Sequence, residues 1–241
     1  MSRIDAIILD WAGTTVDYGS FAPVNAIIIA FEAFGIKVSI EETRAPMGLP
    51  KRKHIEKMLE NMGLYYTQED VSLIYAGFES ALFEVLAKYT DPLPGVIKAT
   101  KHIREMGVAM GSTTGYTQAM MNVIVPLAKE KGYSPDCIVC PDDCKGVGRP
   151  YPYMLWKNLE KLGIASIHNA LKIGDTEVDM QEGKNAGCLS VGVLKGSSML
   201  ALNVNEEIAR KKYMEAGADY VIEDISALPA LIESLNQKGG V

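Results

Sequence analysis

The sequence predicts an α/β protein: a three-layer, Rossmann-like core built on a parallel sheet, with an inserted small helical cap domain. Three observations predict it. Short apolar runs rich in β-branched residues recur along the chain, and helical segments separate most of them. The stretch from about residue 20 to 90 carries helical signals and no convincing strand. Strands that alternate with helices pair in parallel, because a helix is the usual crossover returning the chain to the same end of the sheet. Such strands are buried on both faces and read as continuous apolar runs.

Taken in order, Ile4-Asp5-Ala6-Ile7-Ile8-Leu9-Asp10 is the first of these runs and ends in an acid. The inserted helices follow. Pro23 fits a first helical turn, Ala26, Ile27, Ala30, Phe31 and Phe34 repeat at helical spacing, and Gly35 stops them. Thr67-Gln68-Glu69-Asp70 resembles a capping box, after which Val71, Ile74, Tyr75, Phe78, Leu82, Val85 and Leu86 recur at helical spacing. Pro92-Leu93-Pro94-Gly95 closes the insert with stiff turn chemistry. Later strand runs begin at Val108, Cys137, Ala170, Leu189 and Ala218, with helices expected over 95–106, 117–131 and 152–162. The core thus comprises 1–18 and 93–241, the cap comprises 19–92, and two short connections join them.

Composition narrows the function classes. Of 241 residues, 48% are hydrophobic and 22% charged, the balance of a folded globular chain rather than of a disordered one or a coiled coil. Lys and Arg total 24 against 30 Asp and Glu, and no basic run stands out. No nucleic-acid partner is expected from that charge. No membrane partner is expected either, since no stretch approaches the ~18–20 apolar residues of a span. Met1-Ser2-Arg3-Ile4-Asp5 places an acid where a secretory leader would turn apolar, so a cytoplasmic location is expected. Cys137, Cys140 and Cys144 form C-x2-C-x3-C, but the first two flank Ile138-Val139 with no histidine nearby. Free buried thiols describe them better than zinc ligands.

In a parallel sheet the reactive groups gather at the carboxyl ends of the strands. Those ends carry Asp10, followed by Trp11-Ala12-Gly13-Thr14-Thr15, and Ser112-Thr113-Thr114-Gly115. They also carry Gly148-Arg149-Pro150 at a helix start, and Gly174-Asp175-Thr176 with Asp179 one turn later. Separate carboxylates supply oxygen ligands for Mg²⁺. Hydroxyls, backbone N–H groups and a guanidinium hold anionic oxygens. Each piece alone also reads as a cap, a turn or a loop acid; together, in this order, they describe a site for a phosphoryl group bound with a divalent ion.

In that order the motifs resemble those of the haloacid dehalogenase superfamily. Asp10-Trp11-Ala12-Gly13-Thr14-Thr15-Val16-Asp17-Tyr18-Gly19, Pro46-Met47-Gly48-Leu49 and Gly111-Ser112-Thr113-Thr114-Gly115-Tyr116 are similar to its phosphonatase branch. Pro141-Asp142-Asp143 and Gly148-Arg149-Pro150-Tyr151-Pro152 extend the resemblance over nearly the whole chain. It implies that Asp10 is a nucleophile forming a transient aspartyl-phosphate. It places Mg²⁺ on Asp10, Asp175 and the Ala12 carbonyl, with Asp179 behind them orienting ligands or waters. Thr114, Gly115 and Arg149 would hold the phosphoryl group. The implied substrate is a small-molecule phosphonate and the implied assembly a homodimer through cap helices.

Ala12 is the informative departure from most of that superfamily, whose phosphatases carry a second aspartate there. That acid protonates the leaving alkoxide, and alanine cannot. A carbon–phosphorus bond poses a different problem, since expelling a carbanion needs an electron sink. An amine supplies one by condensing with an aldehyde, because the protonated imine accepts the electrons as an enamine. By position after Met47-Gly48-Leu49 the resemblance puts this amine at Lys51; Lys53 is the rival, two residues on and facing elsewhere on a helix. The amine must be tuned down, since an ordinary lysine with a pKa of about 10.4 is almost wholly ammonium at neutral pH. His54 shares the face of Lys51 and reads equally as a proton shuttle or a structural hydrogen-bonding residue. Met47 stands beside the imine by resemblance and alone would read as packing, as do Tyr116 and Tyr151.

The resemblance implies hydrolysis of the C–P bond of phosphonoacetaldehyde to acetaldehyde and phosphate. The alternatives are a Mg²⁺-dependent phosphatase for a small ester, a dehalogenase, and a non-catalytic module that binds a phosphoryl ligand. The cap is shorter than the family's between His54 and Tyr75, and the part after Gly196-Ser197-Ser198 is compressed.

Overall fold

The structure, a computed structural model, describes residues 3–197, 200–202 and 204–238; Met1, Ser2 and Ser198 lie outside them. Six strands form one sheet: β1 (Ala6–Leu9), β2 (Ala109–Thr113), β3 (Cys137–Val139), β4 (Ala170–Gly174), β5 (Leu189–Val193) and β6 (Tyr220–Ile222). All neighbours pair in parallel, in the order β3-β2-β1-β4-β5-β6. The first strand starts two residues later than its apolar run suggests, because Ile4 and Asp5 precede the first ladder pair. Chain order runs outward from β1 on one side and resumes at β4 on the other. The crevice between β1 and β4 is therefore the switch point where such sheets place their ligands. Register brings the strand ends level there, since Leu9 pairs with Ser112 on β2 and with Ile173 on β4.

Four helices lie between β1 and β2: α1 (Phe21–Ala33), α2 (Ile40–Arg44), α3 (Lys51–Asn61) and α4 (Gln68–Val85). The later helices are α5 (Val96–Glu105), α6 (Gln118–Glu130), α7 (Tyr153–Leu162), α8 (Glu177–Ala186), α9 (Glu206–Ala216) and α10 (Leu228–Lys238). Alternation along β1 divides the core into layers. Ile7 and Leu9 join the cluster that holds Val96, Ile103, Ile124 and Ile232, whereas Ala6 and Ile8 pack with Leu155, Leu159 and Ala186 on the other face. Within the insert, α4 packs on α1 and α3. Val71, Ile74 and Phe78 of α4 meet Ala26, Ala30 and Phe31 of α1 in a core continuous with the sheet's.

The expected cap at Thr67 is present, with Thr67 Oγ1 accepting from the Asp70 N–H and the Asp70 carboxylate accepting from the Thr67 N–H. A second capping box, Ser39 with Glu42, starts α2. Among the described residues no helix is long and apolar enough to cross a membrane. All four cysteines are free.

Candidate active site

Asp10 follows β1 directly, and its N–H donates to the Ile173 carbonyl at 2.9 Å, which holds it in the β1–β4 crevice. The chain then turns tightly. The N–H groups of Thr14, Thr15 and Val16 all return to the Trp11 carbonyl, and Thr15 Oγ1 donates to the Asp10 carbonyl at 2.9 Å. Trp11 is anchored beneath by its indole N–H, which donates to Ser112 Oγ at 2.9 Å. Gly13 has φ +88°, and a methyl on it would stand 2.4 Å from Asp175 Oδ2, so only glycine lets this turn and that carboxylate meet. Thr14 Oγ1 completes the contact, donating to Asp175 Oδ1 at 2.9 Å.

Asp175 follows β4, and Asp179 lies in the first turn of α8, where it forms a capping box with Thr176. Arg149, on the loop before α7, bridges the two sides. Its Nη2 donates to Asp10 Oδ1 at 2.8 Å and its Nη1 to Asp179 Oδ1. Asp10, Asp175 and Asp179 each offer a carboxylate oxygen, and the three oxygens lie within 4.8 Å of one another. Three carboxylates brought this close, all buried, are the oxygen-donor set that a hard divalent cation takes.

Burial pushes the Asp10 carboxyl up, against the pull of Arg149. Burial would raise Asp179 as well, but Arg149 and Lys172 together hold it below its usual value. Arg149 stays cationic because Asp10 and Asp179 outweigh its burial.

The loop between α2 and α3 descends onto this edge through close backbone approaches. Gly48, at φ +95°, lies where a methyl would come within 2.7 Å of Thr176 Oγ1. One on Gly115 would come within 3.1 Å of the Leu49 carbonyl. Because α3 begins at Lys51, directly after Pro50, the lysine falls in the first turn, beside the crevice. It is 6% exposed. Its Nζ lies 3.8 Å from Met47 Sδ and 5.6 Å from the centroid of the Tyr116 ring. Asp10, Ala12, Met47, Lys51, Thr114, Gly115, Tyr116 and Arg149 share one cavity of about 20 Å³, room for about one water.

Burial, and then the charge of Arg149, lowers the Lys51 ammonium to about 8, while Asp10 and Asp17 pull the other way. Lys53 is exposed and pairs with Glu56 at 2.6 Å, an interaction that raises it. Lys51, not Lys53, faces the cavity. Thr114 is buried, and its Oγ1 accepts from the Tyr116 N–H at 3.1 Å.

Some residues stand elsewhere than expected or carry more than the motifs assign. His54 is not on the cavity wall. Its Nε2 lies 2.7 Å from the Thr43 carbonyl and must donate to it, while burial and the Lys51 charge lower it to about 3. It is a neutral hydrogen-bonding residue between α3 and α2 rather than an imidazolium. Tyr151 does not pack: it is 59% exposed, its ring stacked on Tyr153. Asp17 carries no role in the motif reading, yet its carboxylate accepts the N–H groups of Phe21 and Ala22 at 3.0 and 3.2 Å, and burial raises it to about 7. Lys172 and Glu182 are also buried here, and the one available signal was a lysine inside the apolar run Ala170–Gly174.

Comparison with known proteins places the chain in a family. The haloacid dehalogenase-like hydrolase family model matches residues 4–187. The chain is 43% identical to a phosphonoacetaldehyde hydrolase of Lysinibacillus sphaericus, over 98% of this chain and 96% of the relative. It is 44% identical to one of Bacteroides fragilis over 99% of both chains. The crystal structure of a phosphonoacetaldehyde hydrolase-like protein from Oleispira antarctica superposes with a TM-score of 0.90 at 32% identity, covering 98% of this chain and 94% of that one.

Proposed function

This chain belongs to the haloacid dehalogenase-like hydrolases, and we propose that within them it hydrolyses phosphonoacetaldehyde to acetaldehyde and phosphate, with Asp10 as nucleophile and Lys51 as the imine-forming amine. One observation carries the assignment. A buried lysine whose ammonium is lowered to about 8 shares a cavity with Asp10 and Arg149. An ester phosphatase has no use for that amine, and Ala12 offers no carboxyl to protonate an alkoxide.

In the proposed mechanism, Lys51 adds to the aldehyde carbon and a water is lost, giving the protonated imine. Arg149 transfers its Nη2 from Asp10 to a phosphonate oxygen, which frees Asp10 Oδ1 to attack phosphorus. The C–P electron pair flows to the iminium nitrogen, leaving the enamine on Lys51 and the phosphoryl group on Asp10. Thr114 and the Gly115 backbone hold the remaining phosphoryl oxygens. One water hydrolyses the aspartyl-phosphate. The enamine takes up a proton at carbon, and a second water then releases acetaldehyde and Lys51. Asp10, Asp175 and the Ala12 carbonyl, with Asp179 behind, would hold Mg²⁺, which would supply charge neutralisation at the transferring group.

In this reading residues 19–92 act as a cap over the core of 1–18 and 93–241, and the enzyme is a cytoplasmic homodimer. Its free cysteines suit a reducing compartment. Borohydride reduction in the presence of phosphonoacetaldehyde, with mass mapping, tests the central step. An adduct on Lys51 is the expected result. A folded protein that forms none refutes the assignment and leaves phosphate-ester hydrolysis.

A further inference from the structure

The reaction leaves the buried cation Lys172, beside the site, without a task. Lys172 sits within β4, fully buried, and all three of its N–H donors are spent. They go to Thr113 Oγ1 at 2.7 Å, Asp179 Oδ1 at 2.9 Å and Glu182 Oε2 at 3.1 Å. Thr113 closes the ring by donating to Glu182 Oε2 at 3.0 Å. Stability alone is a poor reason for such a group, because a buried ion-pair cluster replaced by apolar side chains of like volume is often neutral or stabilising.

The geometry gives a better reason. Asp179 Oδ1 accepts from Lys172 Nζ and from Arg149 Nη1, while Oδ2 is occupied by the N–H and Oγ1 of Thr176. With both oxygens committed, Asp179 engages Arg149 through a single nitrogen, and the other, Nη2, is left to face Asp10. Without Lys172 the sole cation left on Asp179 would be Arg149. With Oδ2 still held by Thr176, a guanidinium left as the only counter-charge is drawn more tightly onto Oδ1, which pulls Nη2 off the nucleophile.

We propose that Lys172, clamped by Thr113 and Glu182, is a positioning residue that acts through Asp179 to keep one arm of Arg149 aimed at the phosphoryl site. The proposal rests on phosphoryl transfer at Asp10 but not on which phosphoryl compound is the substrate.

Lys172→Met and Lys172→Arg test it, with inorganic phosphate in saturating Mg²⁺ as the probe of Arg149 and reductive trapping of acetaldehyde as the probe of Lys51. Groups that orient ligands from behind typically change affinity or activity by about 10–100-fold. Lys172→Met should therefore weaken phosphate binding about tenfold or more and lower kcat, while trapping on Lys51 stays within about twofold of the parent. Lys172→Arg should recover part of the phosphate affinity. If Lys172→Met does not fold, Glu182→Gln, which keeps shape but removes the charge, should show the same split more weakly. Parental phosphate affinity in the folded variants overturns the proposal, and so does a loss of trapping in proportion to phosphate binding. Failure of the substrate reading would appear instead in the parent protein, as phosphate binding without acetaldehyde release.

Discussion

If Lys51 attacks as a free amine, the rate of imine formation must follow its deprotonation. At about 8, the amine fraction is roughly 1% at pH 6, about 9% at pH 7, half at pH 8 and about 90% at pH 9. A solvated lysine at 10.5 would hold about 0.03% amine at pH 7, so burial together with the charge of Arg149 raises the reactive fraction roughly 300-fold. The assay is cyanoborohydride trapping of acetaldehyde between pH 6 and 9.5, read by mass mapping at Lys51, which needs no C–P chemistry. The expected curve bends near pH 8. A log-linear rise through pH 9.5 would show that the amine is solvated and would sink the argument from burial. The same fact has a stability face. The folded pKa lies below the unfolded one, so the buried ammonium destabilises the fold below pH 8, and that cost fades as pH rises towards 10.5. The fall from 10.5 to about 8 corresponds to about 3 kcal/mol. Lys51→Met should be inactive yet more stable at pH 7 by up to that amount, and the gain should shrink in denaturant titrations at pH 10.

Gly13→Ala would place a methyl 2.4 Å from Asp175 Oδ2 at φ +88°. Such strain costs about 1–3 kcal/mol, and calorimetric Mg²⁺ affinity should fall about tenfold or more together with the melting temperature. Asp10→Asn removes the nucleophile but not the amine. Acetaldehyde release from phosphonoacetaldehyde should vanish while the borohydride adduct on Lys51 persists, and loss of both would mean that Asp10 supports Lys51 instead. Ala12 predicts that kcat/KM for p-nitrophenyl phosphate lies about 100-fold or more below that for phosphonoacetaldehyde, the usual contribution of a general acid. Chelation with EDTA should stop both reactions, and Mg²⁺ should restore them.

The parallel sheet was legible because buried strands leave uninterrupted apolar runs, and the acids that follow those runs in the sequence mark the crevice at their ends. The cap at Thr67 was legible because its signal is local: four residues whose side chains satisfy each other's backbone. What escaped was non-local. Nothing near Lys172 in sequence reveals that Thr113, from β2, and Glu182, two turns into α8, surround it, because parallel register and helix packing bring them together. His54 was ambiguous for the same reason, since its partner is the Thr43 carbonyl eleven residues upstream across the loop. Tyr151 departs from its expected packing because a motif aligns backbone positions without saying which side of the loop a ring leaves from; here it leaves towards solvent and Tyr153.

The 20 Å³ cavity links these parts. It holds about one water, far less than phosphonoacetaldehyde, and in the proposed mechanism the α2–α3 loop lifts from the sheet edge to admit substrate to Asp10. Lifting that loop also carries Lys51 towards solvent, where its ammonium returns towards 10.5 and the amine fraction collapses. In this reading, closure over the substrate does two things in one movement: it brings the aldehyde to Lys51, and it strips the water that keeps Lys51 protonated. The amine becomes a nucleophile chiefly when there is something to attack. The close approaches at Gly48 and Gly115 then belong to the chemistry as much as to the packing, because a side chain at either position would hold the lid ajar and leave Lys51 solvated. Gly48→Ala should accordingly move the bend in the trapping curve above pH 8.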